Sequence, residues 1–231
     1  MRKTVTILAF VFLALVVLPE IVQPARAQAN PYATMAPLQE YLMPKDAEIA
    51  LARSAAPPSI SDSATVMVLG RQGYTTAVRG TNGFLCYVER SWAKDTDAPD
   101  FWNAKMRAPN CFNAAAARSV TQIYQMKTRL VLAGKSKAEI AQAIAAALHR
   151  RELPAPAPGA MCYMMSKHQY LNDQARNWYP HLMFYGAGDL ARSWGANLLG
   201  SPVLAFYDPE ARRTTFLVVV RHWSDGTPGP H

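Results

Sequence analysis

Between residues 113 and 151 the apolar side chains of this chain recur at helical spacing. Asn113 is placed to cap a helix with four alanines behind it. Val120, Ile123, Met126 or Tyr124, and Leu130 then mark one apolar stripe, and Gly134 closes it. Ser136-Lys137-Ala138-Glu139 is a capping box, in which Ser accepts a first-turn amide and Glu reaches back. Ile140, Ala143, Ile144, Ala147 and Leu148 form the stripe of a second helix. A helix pair with apolar stripes must cover something apolar, and the flanking strand-like runs are what it has to cover.

Those runs come in two groups. Thr65–Leu69, Tyr74–Arg79 and Phe84–Trp92 are separated by a Gly70–Gly73 turn and by Asn82-Gly83, a strong hairpin pair, so they read as an antiparallel meander. Ala160–Ser166, His181–Tyr185, Val203–Tyr207 and Thr214–Trp223 are the second group. Phe216–Val220 lacks alternation, the pattern of a central strand covered on both sides. Residues 93–112 look irregular, and Leu153–Gly159, with three prolines, is a stiff crossover within one domain. The expected fold is α+β: a mostly antiparallel sheet of six or seven strands with a helix pair packed on one face. A single domain spans 44–226, opening on a helix from Pro44 to about Ser54. Residues 28–43 form an extended leader and 227–231 a flexible tail.

The start of the chain supplies an address. Met1-Arg2-Lys3 is cationic, Ile7–Leu18 is an unbroken apolar run, and Ala25-Arg26-Ala27-Gln28-Ala29 offers two Ala-x-Ala sites. This is the three-part pattern of a secretory signal peptide over residues 1–27, cut after Ala27 or Ala29. The competing reading, an uncleaved anchor, needs about 20 apolar residues and does not have them. Export puts the protein in the periplasm or outside a bacterial cell, with no transmembrane span after cleavage. Residues 1–28 carry Arg2, Lys3 and Arg26 against Glu20, so the remainder keeps +6 of the chain's +8. That excess is dispersed, and together with export it excludes nucleic acid as a partner. An unknown small ligand or envelope component is the expected partner, and no cofactor is expected. Export also places Cys86, Cys111 and Cys162 in an oxidising compartment, where one pair among the three can close and one thiol stays over.

Three groups of residues carry candidate chemistry. Asn177-Trp178-Tyr179-Pro180-His181 sets two aromatics and an imidazole in a loop entering a strand, so Trp178, Tyr179 and His181 are candidates for ligand binding. Trp92, Phe101 and Trp102 are a second aromatic group with the same choice between stacking a ligand and filling a core. His181 or His168 could serve a hydrolase if a Ser, Cys or carboxylate lies beside the ring. The candidate partners are Ser166, Ser193, Ser201 and Ser224, with Asp173, Asp189 and Asp225, but no Gly-x-Ser-x-Gly elbow occurs. Met161–His168 is rich in soft donors, and Cys162, Met164 and His168 could bind copper. Strand alternation puts Cys162 and Met164 on one face and Met161 and Met165 on the other, which opposes a single shared ion. Asp95, Asp97 and Asp100 lack the Gly and distal Glu of a calcium loop. The functional expectation is a non-catalytic binding protein of the cell envelope, with a His-based hydrolase and a soft-metal protein as alternatives.

The strings GFLCYVERSW (83–92), PGAMCYMMSK (158–167), PHLMFY (180–185) and WGANLLGSP (194–202) resemble those of a group of uncharacterised exported bacterial proteins. The resemblance covers most of residues 44–226 and implies a bacterial envelope origin. It implies no activity, ligand or site residue.

Overall fold

A computed structural model describes residues 30–230. The proposed signal segment lies outside the described residues. The leader makes turns and a short 3-10 helix at Leu38–Glu40, and it buries Tyr41, whose hydroxyl donates to the Trp102 carbonyl at 2.8 Å. Helix α1 (Lys45–Arg53) follows Pro44, and α2 (Pro58–Ser61) follows Pro57, each proline sitting where the orphan helix N–H groups begin.

Strands β1 (Thr65–Gly70) and β2 (Gly73–Val78) form the expected hairpin around Arg71-Gln72. Strand β3 (Leu85–Glu89) does not continue a meander: it pairs with β1, and in parallel. The crossing runs through residues 79–84 past the start of β1. A side chain on Gly80 would meet the Ala64 backbone at 2.2 Å, so only glycine lets the two backbones touch. The Thr81 and Asn82 amides donate to the Ser63 carbonyl, and the Asn82 side chain donates to the Ile60 carbonyl and accepts from the Phe84 amide. The Asn-Gly turn therefore serves a crossover.

Residues 93–112, expected to be irregular, contain strand β4 (Ala108–Phe112), wholly buried and paired with β3. Helices α3 (Ala114–Arg118), α4 (Thr121–Leu132) and α5 (Lys137–His149) follow. Asn113 caps α3, accepting from the Ala116 amide at 2.9 Å, and the Ser136–Glu139 capping box closes in both directions. The first predicted helix is broken at Ser119-Val120, so three helices stand in place of a pair. Strands β5 (Met161–Met164), β6 (His181–Ala187), β7 (Val203–Asp208) and β8 (Arg213–Val219) complete one sheet in the order β2-β1-β3-β4-β5-β6-β8-β7. The described residues thus hold eight strands, and every pairing among them except β1–β3 is antiparallel. Strand β8 lies between β6 and β7, one place in from the edge, and its most buried stretch is Arg213–Phe216.

Helices cover both faces of the sheet, where one was expected. Alternation sends Val66, Cys86, Val88 and Cys111 to the α1–α2 side, against Ala52, Ala55 and Ile60. Tyr87, Phe112, Cys162 and Tyr185 point the other way, against Ala116, Val120 and Tyr124. Helix α5 packs on α4 through Ile140, Ile144 and Ala147, around a core that holds Trp92, Phe101 and Trp102. Cys86 and Cys111 are direct partners in the β3–β4 ladder and form the disulfide, while Cys162 is free and buried. Thr227 and Gly229, in the stretch expected to be a flexible tail, hydrogen-bond back to Trp223 and Arg221. Among the described residues no helix is long and apolar enough to cross a membrane.

Candidate functional site

A cleft of about 460 Å³ opens on the α4 side of the sheet. Six strands supply its floor: Glu89 from β3, Ala108 and Asn110 from β4, Met164 from β5, Met183 and Tyr185 from β6, Arg213 and Thr215 from β8, and Phe206 and Asp208 from β7. Strand alternation explains the selection, because β4, β6, β7 and β8 each contribute two positions that lie two apart. The cleft opens where β4 and β5 part. Their ladder holds only Cys111↔Tyr163 and Phe112↔Cys162, and it stops short of Pro109, which has no N–H to donate. Lys94, Asp95, Asp97 and Ala98 form one wall, Leu171 and Asn172 another.

Buried polar contacts fix the wall at 93–98. The Lys127 ammonium, in α4, donates to the Lys94 carbonyl at 2.9 Å and pairs with Glu210 at 3.0 Å. Glu210 in turn accepts from the Thr96 amide and hydroxyl at 2.9 and 3.2 Å. Lys94 itself turns toward Asp100 at 2.5 Å and the Leu171 carbonyl at 3.2 Å, joining the two walls.

The floor is a run of polar contacts through an otherwise apolar layer. The Glu89 carboxylate accepts from the Tyr87 hydroxyl at 3.3 Å and from the Asn110 amide at 3.1 Å. Asn110 accepts from the Cys162 thiol at 3.6 Å, and Cys162 lies 3.1 Å from the Tyr185 hydroxyl. Burial pushes the Glu89 carboxyl up to about 7, against the opposing pull of Arg213, the Tyr87 hydrogen bond and Lys127. Burial, then the negative charge of Asp208, lifts Asp95 to about 6. Arg213 is held between the rings of Tyr124 and Tyr185, at 4.8 and 5.5 Å, donates to the Tyr124 hydroxyl at 2.5 Å, and pairs with Asp208 at 3.7 Å. Burial raises the Cys162 thiol well above its ordinary value, so the leftover cysteine is an unreactive small apolar group.

The residues expected from sequence lie elsewhere. His181 is 2% exposed, its Nδ1–H donates to the Tyr179 carbonyl at 2.7 Å, and its ring meets Trp178 edge-on at 4.8 Å. Burial lowers its pKa to about 4, so it sits neutral. Trp178, Tyr179 and His181 pack on one another, and none lines the cleft. His168 is exposed, and only its backbone amide is engaged, by Ser166. Among the described residues no Ser, Cys or carboxylate hydrogen-bonds to either imidazole. Met164 lines the cleft and Cys162 lies beneath it, but His168 is outside it. Among the described residues no group of three His, Cys, Asp or Glu side chains could hold a metal ion.

Glu89, Asp208 and Arg213 were not singled out from sequence. Glu89 carried a faint signal, a charge at the end of the apolar run Phe84–Val88. Asp95 and Asp97 stood out only as an incomplete calcium loop. No protein-family model matches this chain, and neither a curated protein nor a solved structure matches it.

Proposed function

We propose that this is an exported protein of the bacterial cell envelope that holds a small ligand in the cleft between its sheet and the 93–98 wall, without transforming it. The observation that carries this reading is the cleft itself. Its volume suits a small molecule, its lining mixes thioethers and aromatic rings with a few convergent polar groups, and its 93–98 wall is held by the buried Lys127–Glu210 ion pair. Pre-formed walls favour binding, since little ordering entropy remains to be lost on association. This reading takes the cleft as the binding site in place of Trp178, Tyr179 and His181, none of which lines it. Export is supported by the signal pattern and by the Cys86–Cys111 disulfide, a bond at home in an oxidising compartment.

Two measurements test the two halves. Protein purified from the envelope should begin at Gln28 or Asn30 by mass spectrometry, and an intact Met1 as the sole form would refute export. Met183→Trp should fill the cleft. Compounds that raise the melting temperature of the wild type should then fail to raise that of the variant, and equal shifts in both would place binding elsewhere.

A further inference from the structure

The chain is strongly basic, with 24 Lys and Arg against 16 Asp and Glu, yet carboxylates collect in the cleft. Its lining holds Glu89, Asp95, Asp97 and Asp208 against Lys94 and Arg213. Both cations are committed, Lys94 to Asp100 and Arg213 to Asp208. Among the described residues no ion pair within 4.0 Å includes Glu89, Asp95 or Asp97. Glu89 is only 8% exposed and has no cation in contact, so ionising it there is costly unless a cation comes to it. A second observation is independent of the acids. Arg213, 4% exposed, keeps a buried Nε with no acceptor among the described residues. The cleft lining thus holds carboxylates with no cation in contact and a guanidinium whose buried Nε has no acceptor, beside thioether and aromatic surface.

The geometry points to a small protonated amine as the ligand class of this cleft, its ammonium held by the carboxylates of Glu89 and Asp95 and an oxygen acceptor of the same molecule turned toward Arg213. Amino acids and amino alcohols with an apolar body have this chemistry. The body would lie on Met164, Met183 and Phe206, where thioethers and a ring suit carbon next to a cation. This assignment rests on the cleft being the binding site.

Below about pH 7 the ammonium competes with the protons that the two carboxyls hold, so binding there releases protons. Glu89 is faced by Arg213 from β8, Lys127 from α4, and Tyr87 and Asn110 from β3 and β4. Asp95 is faced by Asp208 and Glu210 from β7 and its turn, and by Lys127. The amine therefore binds less tightly as pH falls from 8 to 5.

Calorimetry on the mature protein with L-phenylalanine, phenethylamine, phenethyl alcohol and 3-phenylpropionate tests this. L-Phenylalanine and phenethylamine should bind at least about tenfold more tightly than the other two at pH 8, and lose that advantage at pH 5. Glu89→Gln and Asp95→Asn should each cost the amines about tenfold or more and leave the alcohol unchanged, a split that general loosening of the fold would not produce. Equal or tighter binding of the carboxylate or the alcohol would overturn the cation assignment and leave the cleft standing as a binding site. If none of the four binds, both proposals fall.

Discussion

The guanidinium of Arg90 meets the carboxylate of Glu48 at 2.8 Å with neither side chain exposed to solvent. The pair ties α1 to the sheet, because Glu48 also accepts from the Leu69 amide at 3.2 Å and Arg90 donates to the Tyr41 and Val88 carbonyls. Removing one partner leaves a buried charge alone. Arg90→Met should therefore cost about 3–5 kcal/mol in urea unfolding. Glu48→Leu together with Arg90→Met should recover much of that loss. A double variant no better than the single would show that the carbonyl contacts, and not the charge pair, hold this corner.

The Cys86–Cys111 bond closes a 25-residue separation. Loop-closure entropy assigns such a link about 3.5 kcal/mol, and here it joins two neighbouring strands. Replacing both cysteines by Ala should lower stability by that order. Dithiothreitol should do the same to the wild type and nothing to the variant, as read by thermal melts.

Glu89 holds its proton up to about 7 in the fold, against an ordinary value of 4.5. The folded state therefore binds the proton more tightly than the unfolded chain, and this group's contribution to stability declines as pH rises from about 4.5 to 7. Glu89→Gln escapes that decline. It should be more stable than wild type at pH 8, by up to about 3 kcal/mol, and equal to it near pH 4. The Tyr87 hydroxyl can turn to accept from the new amide. Parallel stability curves for the two proteins from pH 4 to 8 would contradict the burial of a proton here.

His181 has the opposite dependence. Its pKa falls from 6.5 to about 4 on burial, so the unfolded chain binds that proton more readily and stability is lost as pH falls from about 6.5 to 4. His181→Gln should flatten this acid limb, by up to about 3 kcal/mol, in denaturant titrations at fixed pH values.

Local signals were legible in the residues themselves. Asn113, the Ser136–Glu139 box and the Gly70–Gly73 turn each act within a few residues of their own backbone, and each stands where sequence puts it. Alternation along residues 85–89 and 161–164 sorts side chains onto two faces without reference to the rest of the chain. It does not say which side of β1 receives β3. The side that β3 takes requires the close approach of Gly80 to Ala64, a contact between segments. Pro109 made Ala108–Phe112 look unlike a strand, and only the neighbours β3 and β5 make it one. The cleft lies further still from anything a window along the chain can hold. Glu89 on β3 and Arg213 on β8 have three strands between them in the sheet, and they line one cleft because strand order, unlike strand period, is set by long-range packing. The cluster of Trp178, Tyr179 and His181 was visible as composition, but what such rings face depends on what the fold brings over them; here Trp178 meets both neighbours edge-on, His181 is buried and Tyr179 stays exposed.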